Sequence, residues 1–210
     1  MEFSRRARAK GSPSRLGVFP GTFNPVTVAH VALAQAALSR VDEVVYILPR
    51  VFPHKAYSQA SFAQRLELLS TAVGESEACS IASAEGGLFV EIAAECRAAY
   101  VGKTALTFLC GRDAAERMVN WDYADPGALA AMLRQFGLLV AARSGEYTPP
   151  PEFRHAILPL ELAAEFDHVS ATEVREKIAR GDAWEHLVPP AARRLAAQIY
   201  GCQIPDAGCR

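Results

Sequence analysis

The chain has no long hydrophobic run. Nowhere does it hold the ~20 uninterrupted apolar residues that a membrane-spanning helix needs. It has no excess of either charge: 22 basic and 23 acidic side chains leave a formal net charge of −1. That balance argues against a protein whose main business is coating nucleic acid or an anionic membrane. Cysteine is sparse and unpatterned. Cys79, Cys96, Cys110, Cys202 and Cys209 are odd in number and contain no Cys-x-x-Cys pair. A disulfide framework and a structural zinc site are both unexpected, and a reducing cytoplasm is the natural setting. Several signatures are missing as well. No Gly-x-Gly-x-x-Gly follows the first apolar segment, and no Gly-x-Ser-x-Gly elbow occurs. Gly102-Lys103-Thr104 has the tail of a P-loop, but Arg97 stands where its first glycine belongs.

What is there is 50% apolar and 21% charged over 210 residues, the composition of a folded domain with a substantial core. Residues 1–14 carry Arg5, Arg6, Arg8 and Lys10 against one Glu2, with Gly11, Ser12 and Pro13 as breakers. They read as a mobile basic tail; the twin arginine lacks the apolar segment of an export signal. Residues 15–200 form the domain, and residues 201–210 a C-terminal tail.

Within the domain, apolar runs alternate with helical stretches. Leu16–Phe19, Glu43–Leu48, Ala78–Ala82, Ala105–Cys110, Leu138–Ala142 and Ala156–Leu158 read as strands. His30–Leu38, Leu88–Tyr100, Ala171–Arg180 and Pro190–Tyr200 read as helices, with two short ones flanking Asp125-Pro126-Gly127. From Phe62 a stripe of Phe62, Leu66, Leu69 and Val73 predicts a helix with Gln64, Arg65 and Glu67 facing out. Near-continuous apolar strands separated by helices specify an α/β fold, a single doubly wound, mostly parallel sheet covered on both faces. Ligands then bind beyond the carboxyl ends of the strands, which singles out residues just after Phe19, Leu48, Cys110 and Ala142.

Four segments stand out. Gly21-Thr22-Phe23-Asn24-Pro25-Val26-Thr27-Val28-Ala29-His30 joins a strand to a helix whose free N–H groups suit phosphate, with His30 in the first turn; a plain turn with a cap histidine reads equally well. Arg50, His54 and Lys55 follow the second strand and either meet a polyphosphate or form a solvated loop. Gly111-Arg112-Asp113 places a carboxylate where a ribose is held or a helix is capped. Trp121 beyond it either stacks on a flat ring or fills the core. Ser170-Ala171-Thr172-Glu173-Val174-Arg175 has the spacing of a capping box and equally that of an anion site.

Together these segments resemble the adenylyltransferase branch of the HxGH nucleotidyltransferase superfamily (Rossmann-like fold), most closely the bacterial nicotinate-mononucleotide adenylyltransferases. GTFNPVTVAH matches the Gly-Thr-Phe-x-Pro loop and the His-or-Thr-x-Gly-His motif. Phe52-Pro53-His54-Lys55 matches Pro-Pro-His-Lys, and Gly111, Asp113 and Trp121 match Gly-x-Asp with its downstream tryptophan. VSATEVR matches Ile-Ser-Ser-Thr-x-x-Arg, and Leu187-Val188-Pro189 matches the Leu-Val-Pro after it. The likeness spans roughly residues 16–200. Departures are Thr27 for the first histidine, Ala29 for the glycine, Ala171 for a serine, and Glu85–Glu91 where relatives carry Ser-Tyr-Thr-x-Asp-Thr.

The resemblance implies adenylyl transfer from ATP, with its Mg²⁺ bound through the phosphates, to a mononucleotide phosphate, most like nicotinate mononucleotide. Phosphopantetheine or nicotinamide mononucleotide as acceptor, or a nucleotide-binding protein that no longer catalyses, stay open. His30, Thr27 and Lys55 are the implied catalytic residues, with backbone N–H groups near Gly21 and Thr22 helping. Gly21, Thr22, Phe23, Gly111, Asp113, Ser170, Thr172 and Arg175 are the implied ATP-binding set. Trp121 and, from its place after a strand, Arg143 fall to the acceptor. Small molecules are the expected partners, with no nucleic acid or membrane; self-association is left open.

Overall fold

The computed structural model describes residues 1–7, 12–51, 59–141 and 147–201. Seven strands form one sheet: β1 (Glu2–Arg5), β2 (Arg15–Pro20), β3 (Glu43–Pro49), β4 (Cys79–Ala84), β5 (Ala105–Gly111), β6 (Gly137–Ala141) and β7 (Ile157–Leu160). Their order is β1-β4-β3-β2-β5-β6-β7. All pairings are parallel except β1 with β4. The expected α/β architecture is therefore observed.

The apolar runs are continuous because both sheet faces are covered. In β3 every residue is buried, and its side chains alternate between two cores. Val44, Tyr46 and Leu48 pack under α1 (Val28–Ala37), α2 (Phe62–Val73), α6 (Ala171–Arg180) and α7 (Arg193–Gly201). Val45 and Ile47 face α3 (Phe89–Ala99), α4 (Arg112–Val119) and α5 (Ala128–Leu133). Such burial contributes roughly 1.5–3 kcal/mol per large side chain before chain entropy is set against it.

Two sequence expectations are corrected. Glu2–Arg5, read as part of a mobile tail over residues 1–14, is a strand on the free edge of β4. Its single apolar side chain explains this: Phe3 packs edge-on against Tyr100 at 5.7 Å and lies under the Arg6 guanidinium. Arg5 reaches the Cys79 carbonyl at 3.0 Å. Arg65, expected to face out, is 3% exposed. Leu68 and Leu69 set the inward face of α2, and Arg65 lies on it.

Strand order reverses at β2. The chain moves outward from β2 through β3 to β4, then returns to place β5 on the other side of β2. Val18 pairs with Phe108, so β2 and β5 release their loops at about the same level. A crevice at such a reversal is where open α/β sheets bind ligands.

Candidate active site

The loop after β2 is held from several sides. Gly21 N–H donates to the Ile47 carbonyl at 3.0 Å. A Cβ on Gly21 would lie 2.7 Å from the tip of the Phe23 ring, so the glycine is needed because that ring folds beneath it. Phe23 has φ of 44°, a costly conformation for a bulky side chain. Packing fixes it: the fully buried ring meets Phe19 at 5.5 Å, Tyr46 at 5.7 Å and the His30 imidazole at 5.3 Å. Phe23 therefore supports the loop through its buried ring, and the ligand contact implied for this residue falls to its backbone N–H.

Thr27 caps α1 and is fully buried. Its N–H donates to His30 Nδ1 at 3.0 Å, and its hydroxyl oxygen lies 2.8 Å from the same nitrogen. The His30 N–H returns to the Thr27 hydroxyl at 3.4 Å, closing a capping box. The Thr27 hydroxyl, read as an uncharged donor to phosphate, is engaged with His30 in this structure. A ring nitrogen that accepts a backbone N–H is the unprotonated one, so Nε2 is the ring donor.

Of the amides expected to help, that of Gly21 is taken. With Gly21 N–H committed to the sheet, Thr22 and Phe23 carry the amides that have no acceptor among the described residues. Asn24 fastens the loop to the far end of the chain. Its carbonyl accepts from Arg175, and its side-chain oxygen accepts from the Tyr200 hydroxyl at 2.6 Å. A second Arg175 N–H reaches the Thr172 hydroxyl at 3.2 Å. Ser170 caps α6 by accepting the Glu173 N–H at 3.1 Å; the Glu173 carboxylate sits 3.8 Å from Lys177. Thus the Gly21–His30 loop and Thr172–Arg175, far apart in sequence, form one cluster.

Gly111 begins α4 at the end of β5, and a Cβ there would meet nothing within 4 Å. Asp113 and Trp121, with Glu116, Arg117, Asn120 and Asp122, line a cavity of about 650 Å³. Trp121 is 51% exposed, so it does not fill the core. A cavity of about 400 Å³ lies beside the first turns of α1 and α6, between Val28, Glu165, Phe166, His168, Glu173 and His186. Lys55, Arg143, His54, Cys202 and Cys209 lie outside the described residues. Arg50 pairs with Glu2 at 2.7 Å and Glu85 at 2.9 Å. In the region that departs from the family pattern, the Glu85 and Gly86 amides donate to Glu95, and those of Gly87 and Leu88 to Glu91.

Sequence reasoning missed Arg65, Asn24 and Tyr200. Arg65 donates to the Thr22 carbonyl at 3.0 Å. The signal that could have found it is a charged residue one position off an apolar helical stripe. Asn24 and Tyr200 offered no local signal. Among the described residues no His, Cys, Asp and Glu side chains group as metal ligands, and no helix is long and apolar enough to cross a membrane.

Comparison with known proteins places this geometry in context. A family model described as Cytidylyltransferase-like matches residues 18–177. A Bordetella pertussis protein named "Probable nicotinate-nucleotide adenylyltransferase" is 31% identical over 196 residues, covering 87% of this chain and 95% of the relative. A protein of the same name from Exiguobacterium sibiricum is 27% identical, covering 86% and 95%. In fold, the chain is similar to Plasmodium falciparum nicotinic acid mononucleotide adenylyltransferase complexed with NaAD. The TM-score is 0.68 at 12% identity, covering 88% of this chain and 95% of the other.

Proposed function

The chain belongs to the cytidylyltransferase-like family and, within it, to the nicotinate-nucleotide adenylyltransferases, and on that premise we infer that it transfers the adenylyl group of ATP to nicotinate mononucleotide in NAD biosynthesis. An oxygen of the acceptor phosphate attacks the α-phosphorus, the bond to the α–β bridging oxygen breaks, and pyrophosphate leaves with the electron pair. Such chemistry asks the protein for positioning and charge stabilisation. The observation that carries this reading is the Thr27–His30 pair. By accepting the Thr27 N–H on Nδ1, His30 keeps its proton on Nε2, ready to donate as charge builds on the bridging oxygen.

The remaining assignments follow from the cluster. The Thr22 and Phe23 amides and the N-terminus of α1 face the phosphates. Ser170, Thr172 and Arg175 grip the β/γ end, and Lys55 adds charge. The cavity beside α1 and α6 takes the adenine, with Glu165 as an acceptor for its amino group. Asp113 holds a ribose, Trp121 stacks on the acceptor ring in its own cavity, and Arg143 stays with the acceptor. ATP enters as its Mg²⁺ complex; the neutral and cationic donors around the loop suit a metal ion carried on the phosphates. The setting is cytoplasmic and the partners are small molecules.

One observation favours a second acceptor. The Trp121 cavity presents the carboxylates of Asp113 and Asp122 against Arg117, while its third, Glu116, is paired with Arg112 at 2.6 Å. The pyridinium ring of nicotinamide mononucleotide, with its uncharged amide, meets less repulsion there than a ring that also carries a nicotinate carboxylate. The test measures pyrophosphate release from ATP and Mg²⁺ with nicotinate mononucleotide, nicotinamide mononucleotide or phosphopantetheine. Fastest release with nicotinate mononucleotide is expected; a preference for the amide shifts the acceptor. Tight ATP binding with no release from any of them would sink the enzyme reading.

A further inference from the structure

Arg65 comes from neither the loop nor its helix, yet it touches the loop at its centre. The side chain is 3% exposed, and its Nη1 donates to the Thr22 carbonyl at 3.0 Å, across 43 residues of sequence. Across a trans peptide the carbonyl of one residue and the N–H of the next point in opposite directions. The Thr22–Phe23 peptide is of this kind; the cis bond in the loop is Asn24–Pro25. Fixing the Thr22 oxygen on a buried guanidinium therefore turns the Phe23 N–H to the opposite side, where no acceptor among the described residues takes it. The same contact polarises the amide, since a cation drawing density from the carbonyl makes its N–H a stronger donor.

We propose that Arg65 is a positioning residue for adenylyl transfer, holding and polarising the Thr22–Phe23 peptide so that its N–H meets the charge that develops on the phosphates. The inference rests on the proposed activity. It assigns Arg65 no contact with either substrate. Its consequence is specific: a donor aimed at developing charge lowers turnover when lost, whereas uniform substrate binding does not change. A merely structural arginine would change stability and the amount of folded enzyme instead.

The experiment compares the wild-type chain with Arg65→Met, Arg65→Lys and Arg65→Gln. For each, kcat and both KM values are measured by pyrophosphate release, and folded fraction by near-ultraviolet circular dichroism and thermal melting. Wild type that releases no pyrophosphate refutes the activity and is recognised as such before any variant is compared. With active wild type, folded Arg65→Met is expected to lose about 10- to 100-fold in kcat, with both KM values within about threefold. Arg65→Lys, which restores a cationic donor, should recover most of that loss. A folded Arg65→Met with kcat within twofold of wild type overturns the proposal. So does a loss confined to KM, or one that merely tracks folded fraction. Should Arg65→Met fail to fold, the Lys and Gln variants decide. A kcat at least fivefold higher for Lys at equal KM supports the assignment, and equal values overturn it.

Discussion

Tyr200 donates its hydroxyl to the Asn24 side-chain oxygen at 2.6 Å, joining α7 to the loop after β2 across 176 residues. Both residues are buried, at 5% and 7% exposure. Together with the Arg175 bond to the Asn24 carbonyl, this makes Asn24 the point where the C-terminal helices fix the loop after β2. The geometry of this loop therefore depends on α7, the last helix in sequence among the described residues.

Tyr200→Phe keeps the packing and leaves the Asn24 oxygen buried without that donor. Leaving a buried polar atom unsatisfied costs about 1–3 kcal/mol. For a domain of this size that lowers the melting midpoint by roughly 2–12 °C. Turnover should fall less than in a variant lacking His30. A melting midpoint equal to that of wild type, by calorimetry, would show that Asn24 is satisfied in another way.

The Thr27–His30 pair separates donor from support. His30→Ala removes the ring donor and should lower kcat by about 10²–10³ in a protein that still folds. Thr27→Val keeps the volume and the backbone N–H to Nδ1, and removes the cap. The expected cost is about 0.5–2 kcal/mol of stability, with a smaller loss of turnover than for His30→Ala. Equal kcat losses in the two variants would place Thr27 in direct contact with the substrate.

The parts of the fold legible in the sequence are those whose causes are local. Glu43–Leu48 reads as a strand because a strand buried on both faces must be apolar at every position. Ala171–Arg180 reads as a helix because Ser170 caps its start and Gly181, at φ of 74°, ends it. Glu2–Arg5 does not read as a strand, because what makes it one is the free edge of β4, some 80 residues away. Charge alone placed Arg65 on the solvent face of α2, and its partner is a backbone carbonyl that no residue pattern announces.

The site divides along the same line. His30, Thr172 and Arg175 were singled out because each stands at the start of a helix, where free N–H groups suit an anion, and the structure brings their segments together. The burial of the Phe23 ring was not legible, because a residue type does not say which way a left-handed backbone turns its side chain. The Thr27 cap was not legible, because the hydroxyl that satisfies a cap is the same type of group that meets a phosphate.

Arg175 is expected to act on binding. Arg175→Ala removes a cation from the β/γ end and a donor from the Asn24 carbonyl. Hydrogen bonds to charged groups contribute about 1.5–3 kcal/mol, so the dissociation constant for ATP should rise roughly 10- to 150-fold. Titration calorimetry with ATP reads this directly. An unaltered affinity would remove Arg175 from the phosphate site and leave it as a loop fastener.

Alkaline pH should weaken the fold for a reason visible in the core. Burial pushes the Cys96 and Cys110 thiols from an ordinary 9.0 up to about 12. It raises the phenols of Tyr46, Tyr100 and Tyr200 as well. An acid whose folded value is raised binds its proton more tightly in the native state. Its contribution is fully present below the unfolded value and is lost as pH rises toward the folded one. The urea midpoint should therefore hold steady between about pH 7 and 8.5 and fall progressively above about 9. In the same window the native protein should resist thiol alkylation at Cys96 and Cys110 that proceeds readily in urea, because the thiolate is the reacting form. A midpoint unchanged to about pH 11, or rapid labelling of Cys110 in the native state, would mean that the strand end beside Gly111 opens to solvent far more often than its packing allows.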